Sequence, residues 1–170
     1  AGVLDPLDVE LARRLAGLAS EKEAREGRSW AAGRDELLGL AMASRAPRLG
    51  HVCVGLGSVQ TIQPAKDEDD EGEKLPKLAW PEVGPWLASL RASPLCRADG
   101  EDRDTPLVLE AKDDRGGRLY LDRYWRHERV VRDQVLARLG LPPDDVDIDL
   151  LKEGLTHLLQ PGGDIGLPVV

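Results

Sequence analysis

Phenylalanine is absent from the 170-residue sequence, and its only aromatic residues besides histidine are four tryptophans and two tyrosines. Phenylalanine is one of the residues that most often fill protein cores. We therefore expect a core of Leu, Val and Ala packed around a few large rings. Because 41% of the residues are hydrophobic and 32% are charged, the composition is typical of a globular chain. The length suits a single domain.

Cysteine is also scarce, since the sequence contains only Cys53 and Cys96. Two cysteines are too few for the disulfide framework of a small secreted domain, and neither lies in a CxxC pair. We expect reduced thiols, although one disulfide between the two stays open. No apolar run approaches the roughly 18 residues that a membrane-spanning helix needs, and no signal-peptide pattern opens the chain. The sequence thus predicts a cytoplasmic protein with no membrane partner.

Positive charge is in deficit: 23 Lys and Arg face 31 Asp and Glu, which gives a net charge of −8. Proteins that wrap duplex DNA bind by neutralising phosphates with cations. The charge balance therefore argues against that class of protein, although it leaves room for a local basic patch.

The sequence patterns of common active sites are missing as well. No Gly-Lys dipeptide is present, so there is no GxxxxGK[ST] phosphate loop. "VGLGS" at 54–58 does not complete GxGxxG, and no GxSxG nucleophile elbow exists. The potential metal ligands are scattered rather than paired; they are His51, Cys53, Cys96, His127 and His157. We expect no catalytic, cofactor-binding or metal-binding residue in this chain.

Hydrophobic spacing and capping residues predict a mainly α protein of the α+β class, with about five helices and one small β-hairpin. Asp5 and Pro6 mark the first helix start, and Leu7, Leu11, Leu15 and Leu18 form its apolar face. The predicted helices cover about 6–20, 35–46 (ended by Pro47), 80–93, 122–139 (with Asp122 as N-cap) and 148–159. A brief strand is predicted within 51–56, and the hairpin joins 105–111 to 117–121.

Charge runs set the expected domain organisation. The segment "KDEDDEGEK" at 66–74 is nearly all charge and is predicted to be an exposed acidic loop. We interpret 1–160 as one domain and 161–170, which is rich in glycine, as the start of a linker.

The most unusual stretch is "RLYLDRYWRHERVVR" at 118–132, which combines five arginines with two tyrosines and a tryptophan in an acidic chain. On a helix, Tyr124, Glu128, Val131 and Val135 share one face. Glu128 in that seam needs a partner, for which Arg123 or a backbone amide is the candidate. A general base is the alternative, but no second titratable group with a fitting role lies nearby in sequence.

Arg126, Arg129 and Arg132 fall on the solvated side of the same helix. Glu128 and Asp133 interrupt this basic series. Salt bridging or protein docking is therefore favoured over reading a DNA groove.

Four segments in order resemble the N-terminal region of the RecD subunit, the alpha chain of bacterial exodeoxyribonuclease V (RecBCD). Residues 119–129 resemble its Leu-Tyr-Leu-Asn-Arg-x-Trp-x-x-Glu-Arg segment, with Asp122 in place of Asn. "GHVCVGL" at 50–56 resembles Gly-His-Val-Cys-Leu-x-Leu, and "PLDVELA" and "TPLVLE" stand in the expected places. The resemblance is weakest over 20–34 and 58–80. Its motif residues, to which we assign structural roles, are His51, Cys53, Tyr120, Asp122, Arg123 and Glu128.

The resemblance implies a non-catalytic accessory domain that precedes a 5′–3′ DNA helicase motor, where ATP and magnesium would bind. It implies docking of that motor onto a RecC-type subunit of a double-strand-break repair and recombination complex, with DNA contacted indirectly. A stand-alone RecD-like helicase without such partners is another possible parent.

Because Trp, Tyr and Arg dominate interface hot spots, the sequence nominates partner-binding residues, which are Trp125, Arg126, Arg129, Arg132 and Trp86. Trp30 is a further aromatic candidate, and core packing is the alternative role for each of the three tryptophans. The alternative function is direct contact with single-stranded DNA, in which the arginines of 118–132 bind phosphates and Tyr124 and Trp125 stack on bases.

Overall fold

The computed structural model describes residues 3–62, 79–113, 116–139 and 147–158. Within these ranges lie five α-helices: α1 (Pro6–Arg25), α2 (Arg34–Arg48), α3 (Val83–Ala92), α4 (Asp122–Leu139) and α5 (Ile148–Leu158). The strands are β1 (Val54–Gly55), β2 (Cys96–Ala98), β3 (Leu107–Asp113) and β4 (Gly116–Leu121). The α+β prediction is confirmed. The predicted acidic loop at 66–74 and the linker at 161–170 lie outside the described residues. The chain divides into two compact units, Ala1–Val131 and Arg132–Val170.

The predicted hairpin forms the centre of a four-stranded sheet with the order β1-β4-β3-β2. β3 and β4 pair antiparallel, with Val108 opposite Tyr120. β1, within the predicted brief strand, pairs antiparallel with β4. β2 pairs parallel with β3 and places Cys96 opposite Leu107. The sequence did not predict β2, because three residues are too few to show the alternation of a strand.

Helix α1 begins where the sequence predicts, but it buries a different face. The Asp5 side chain accepts a hydrogen bond from the Leu7 amide at 2.8 Å, which caps the helix behind Pro6. The buried residues are Asp8, Ala12, Ala16 and Glu23, whereas Leu7 and Leu18 are 63% and 62% exposed. The predicted leucine face is therefore wrong in part: Leu15 packs against the core, but the fully buried contacts of α1 are made by small alanines. α1 also continues through 21–25, which were predicted as loop.

Near two prolines, the end of α2 and the start of α3 differ from the predicted helix boundaries. α2 passes through Pro47 and ends at Arg48. Proline removes an amide donor that would otherwise bond within the last turn, and the helix ends one residue later. α3 begins at Val83 rather than near Trp80, and Pro85 lies in its first turn. Amides of the first turn have no partner within a helix, so proline is tolerated at that position.

The core lies between α2, α3 and the sheet. Trp86, Leu87, Leu90, Leu107 and Leu119 are fully buried. The Trp86 indole N–H donates to the Asp35 carbonyl oxygen at 2.8 Å, so the polar edge of this ring is satisfied inside the protein. Trp30 is half-buried and packs against the same core. The core therefore consists mainly of leucine, valine and alanine around a few large rings, as the composition predicts; the fully buried rings are those of Trp86 and Tyr120.

Both cysteines are free thiols. Cys96 is buried, and burial raises its pKa to about 12. Among the helices in the described ranges, none combines the length and the apolar character that a membrane crossing requires.

Candidate interaction surface

The unusual stretch 118–132 forms most of β4 and the first turns of α4, which follow each other without a loop. The Asp122 amide donates to the Pro106 carbonyl oxygen at 2.9 Å, which ties the junction to the start of β3. The Asp122 carboxylate accepts from Arg97 Nη2 at 2.9 Å and from Arg126 Nε at 2.6 Å. Asp122 was predicted as the N-cap, but it is the first residue of α4, and its side chain binds two arginines. This carboxylate joins α4 to β2.

Trp125, one turn into α4, lies against two arginines from different parts of the fold. The guanidinium carbons of Arg97 and Arg129 are 4.4 and 4.9 Å from the centroid of its ring. Both distances are within the range of cation–π attraction. Arg97 is only 5% exposed and also donates to the Glu101 carbonyl oxygen at 3.2 Å. We call Arg97, Trp125 and Arg129 the arginine–tryptophan stack; it fixes the start of α4 on the sheet.

Acidic residues neutralise most of the arginines in this stretch. Arg129 Nη2 is 2.5 Å from Asp99 Oδ2 and 3.6 Å from Glu110 Oε1. Arg118 Nε is 3.6 Å from Glu110 Oε2, and Arg132 Nη2 is 2.6 Å from Asp133 Oδ1. Arg126 contacts Asp104 at 3.9 Å in addition to Asp122. The arginines therefore form ion pairs, as the charge alternation predicts, and do not converge into a basic groove.

Beside the stack lie two polar side chains, the buried Tyr120 and the half-buried Cys53. Burial raises the pKa of the Tyr120 hydroxyl well above its usual value, and the negative charge of Glu128 adds to the effect. Burial also raises the pKa of the Cys53 thiol. Both groups therefore stay protonated near neutral pH, and neither is an activated nucleophile or base.

Glu128 does not have the partner that the sequence predicts. Its Oε2 atom is buried and has no hydrogen-bond partner among the described residues, and the same is true of Trp125 Nε1. Arg123 is exposed. The predicted seam is also not buried in the described chain, since Val131 and Val135 are 64% and 49% exposed. A buried, unpaired carboxylate oxygen is unfavourable, so Glu128 does not contribute the stability expected of a paired residue.

The structure separates the nominated partner-binding residues into two groups. Trp125, Arg126, Arg129 and Arg132 lie on α4, with Arg126 59% and Arg132 49% exposed in their side chains. Trp86 lies in the core and is 0% exposed, so we leave it out of the surface. His51 is exposed, on the turn before β1. We call the surface formed by Trp125, Arg126, Arg129 and Arg132 the α4 arginine surface.

Sequence reasoning missed Arg97, Asp99 and Glu110, which hold this surface in place. They lie on β2, just after it, and on β3, so no local spacing links them to α4. Only the charge alternation of "CRADGEDR" hinted at paired side chains. In the described part of the chain, no three His, Cys, Asp or Glu side chains are grouped so that they could hold a metal ion.

Fold and surface together define a small α+β domain whose α4 arginines, within the described ranges, form ion pairs with carboxylates of the same helix, of β3 and of the segment that joins β2 to β3. Residues 1–120 match the family model of the RecBCD enzyme subunit RecD, N-terminal domain. The chain therefore belongs to the family of RecD N-terminal domains, and the resemblance noted in the sequence is confirmed.

Curated relatives extend this match. The chain is 43% identical over 139 residues to a protein named RecBCD enzyme subunit RecD from Mycobacterium tuberculosis, covering 82% of this chain and 19% of the relative. It is 40% identical over 144 residues to the protein of the same name from Mycolicibacterium smegmatis, covering 84% and 20%. The chain thus spans about a fifth of the length of these relatives. No solved structure shows a significant match.

Proposed function

We propose that this chain is the non-catalytic interaction domain of a RecD-type 5′–3′ DNA helicase subunit. In this role it docks the motor of that subunit onto a RecC-type subunit of a RecBCD complex that repairs double-strand breaks. The observation that supports the proposal most directly is the family match over residues 1–120, which the relatives named RecBCD enzyme subunit RecD reinforce. ATP and magnesium would bind in the motor, outside this sequence.

The α4 arginine surface is the docking surface that we propose. Trp and Arg are the residues most enriched among interface hot spots, and they act best when the protein holds them rigidly before binding. The arginine–tryptophan stack provides that rigidity, since Arg97 is almost fully buried and Arg129 binds Asp99 and Glu110. Arg126 and the 98% exposed side chain of Asp104 extend the surface toward solvent. A partner with alternating acidic and basic groups would fit this pattern.

The test is binding of the chain to its cognate RecC-type subunit, measured by size exclusion and by titration calorimetry. We expect Arg126→Glu to weaken binding by about 1.5 to 3 kcal/mol, or roughly 10- to 100-fold. The substitution places a negative charge where the partner's acidic groups would otherwise meet a positive one. Arg14→Glu is the matched control: Arg14 is also exposed and also pairs one turn back on its own helix, with Glu10 at 2.9 Å. It should leave binding unchanged.

Failure of the unaltered chain to bind the RecC-type subunit at tens of micromolar would contradict docking through this domain. Equal losses in Arg126→Glu and Arg14→Glu would instead contradict the choice of surface, because the effect would then follow net charge rather than position.

A further inference from the structure

Beyond the arginine–tryptophan stack, α4 exposes an apolar stripe. Val131, Val135 and Leu139 follow one another at intervals of about one helical turn and are 64%, 49% and 75% exposed. Val130 and Leu136 on other sides of the helix are exposed as well, at 60% and 58%, while Arg132 and Asp133 form an ion pair between them. A row of exposed apolar side chains at this spacing is typical of a helix that packs against another element.

Helix α5 repeats the pattern. Ile148, Leu151 and Leu155 share one face and are 55%, 46% and 46% exposed. The helix is well started, since Asp147 Oδ1 accepts from the amides of Asp149 and Leu150 at 3.0 Å each. It is only 11 residues long, and a helix of that length is marginal in water unless its apolar face is covered. The sequence of α5 is therefore that of a helix that needs a packing partner.

The two stripes differ chemically from the α4 arginine surface. They consist of valine, leucine and isoleucine, whereas the arginine surface consists mainly of arginines paired with carboxylates. Faces that are permanently covered resemble a protein core, while faces that bind a separate partner are as polar as ordinary surface. The stripes are thus of the permanently covered kind.

The position of the stripes in the family indicates what covers them. The family model of the N-terminal domain ends at residue 120, before either stripe begins. The similarity to the mycobacterial RecD subunits extends over 139 residues, more than the model contains, so it continues past that domain. The matched segment is 82% of this chain but 19% of the relative, so that relative is roughly four times as long as this chain. In a subunit of that length, the remaining polypeptide is tethered to α4 and α5 at a high effective concentration.

We propose that the apolar stripes of α4 (Val131, Val135, Leu139) and α5 (Ile148, Leu151, Leu155) pack against the remainder of the same RecD-type subunit, not against the RecC-type subunit or a second copy. This inference rests on the proposed function, because it assumes a subunit with a further domain. The protein then has two faces with separate tasks: the α4 arginine surface binds the neighbouring subunit, and the stripes bind the rest of their own subunit.

The experiment uses the full-length subunit and two matched double variants. The stripe variant carries Val135→Asp and Leu151→Asp. The control carries Ala137→Asp and Leu150→Asp, which also place aspartate at exposed apolar positions of the same two helices. Leu150 is 67% exposed and points about 100° away from Leu151. Two properties are measured for each: the rate of trypsin cleavage after Arg138 and Lys152, and the affinity for the RecC-type subunit.

We expect the stripe variant to be cleaved about tenfold faster than the unaltered subunit, because charge on the covered faces favours local opening. The control should be cleaved at the unaltered rate, and both variants should bind the RecC-type subunit normally. Unchanged cleavage with lost RecC binding would overturn the inference while leaving the proposed function intact. Unchanged cleavage and unchanged binding would also overturn it.

Two further outcomes are decisive. If the unaltered subunit binds no RecC-type subunit but the stripe variant is still cleaved faster, the proposed function fails and the packing inference stands. If the unaltered subunit is a dimer that only the stripe variant converts to monomer, the stripes bind a second copy and the inference is wrong. Should the stripe variant not fold, hydrogen exchange of the unaltered subunit decides: protected α5 amides support packing, and amides that exchange freely overturn it.

Discussion

Two acidic residues on α4 show how the surroundings of a carboxylate decide whether it stabilises the folded protein. Asp122 binds the almost fully buried Arg97 and the exposed Arg126. Glu128, less than two turns later, has a buried oxygen with no partner among the described residues. Removing one member of a buried pair leaves the other charge uncompensated, whereas removing an unpaired buried charge relieves a desolvation cost. The same chemical group is therefore stabilising at one position and unfavourable at the other.

We predict opposite effects when each carboxylate becomes an amide of the same shape. Asp122→Asn should lower the free energy of unfolding by about 2 to 3 kcal/mol, because Arg97 loses its carboxylate. Glu128→Gln should leave stability unchanged or raise it by about 1 kcal/mol, because a neutral amide is less costly to bury. Urea unfolding followed by circular dichroism measures both. A large loss in Glu128→Gln would mean that this carboxylate has a partner and that our account of the site is wrong.

At the scale of elements, close packing of the sheet depends on a glycine of β4, whereas a glycine in the middle of α1 has open space around it. A Cβ on Gly117 of β4 would lie 2.9 Å from the Ala111 Cβ and 3.2 Å from the Glu110 carbonyl oxygen on the paired strand β3. A Cβ on Gly17 in the middle of α1 would meet nothing within 4 Å. The hairpin therefore requires glycine at 117, whereas α1 does not require it at 17.

Replacing glycine by alanine should consequently change the stability of the protein in opposite directions at these two positions. Gly117→Ala should destabilise the protein by about 1 to 3 kcal/mol, because backbone atoms must move to admit the methyl group. Gly17→Ala should stabilise it by about 0.5 to 1 kcal/mol, since alanine is the better helix former. Thermal unfolding of the two variants beside the unaltered chain provides the measurement. A Gly117→Ala protein as stable as the original would show that β3 and β4 approach less closely than described.

Local signals in the sequence predicted the helices better than they predicted their buried faces. Asp5 and Pro6 located the start of α1, and the segments 105–111 and 117–121 predicted the hairpin that forms β3 and β4. The face of α1 was predicted only in part, because the prediction followed the leucine spacing and overlooked the small residues Ala12 and Ala16 that are fully buried. The α4 residues of the candidate site were found because they lie together in one segment. Arg97, Asp99 and Glu110 were not, since only the pairing of β2 with β3 brings them to α4.

At the scale of the whole molecule, charge argues against the alternative function. The net charge is −8, and Arg118, Arg126, Arg129 and Arg132 each contact a carboxylate. Single-stranded DNA binding relies on free cations along a groove and on exposed aromatic faces. Here four of the five arginines that would meet phosphates are already paired with carboxylates. Trp125 lies against two guanidinium groups, those of Arg97 and Arg129.

We therefore predict that the isolated chain does not bind single-stranded oligonucleotides at about 0.1 M salt, where exposed charges are screened beyond about 10 Å. Tryptophan fluorescence should stay unchanged during titration with an oligonucleotide. The informative control replaces Asp99 and Asp104 with asparagine, which frees Arg129 and Arg126 in part and should permit weak binding at low salt. Quenching of the unaltered chain that weakens as salt rises would restore DNA contact as the leading function.

The outer strands of the described sheet are unusually short, with two residues in β1 and three in β2. A strand of another chain can add to the exposed edge of a sheet, and very short edge strands make such pairing less favourable. Little backbone is therefore available for the stacking of chains into fibrils. If a preparation of this chain aggregates, the aggregates should retain their helical circular dichroism and should not bind amyloid dyes such as thioflavin T.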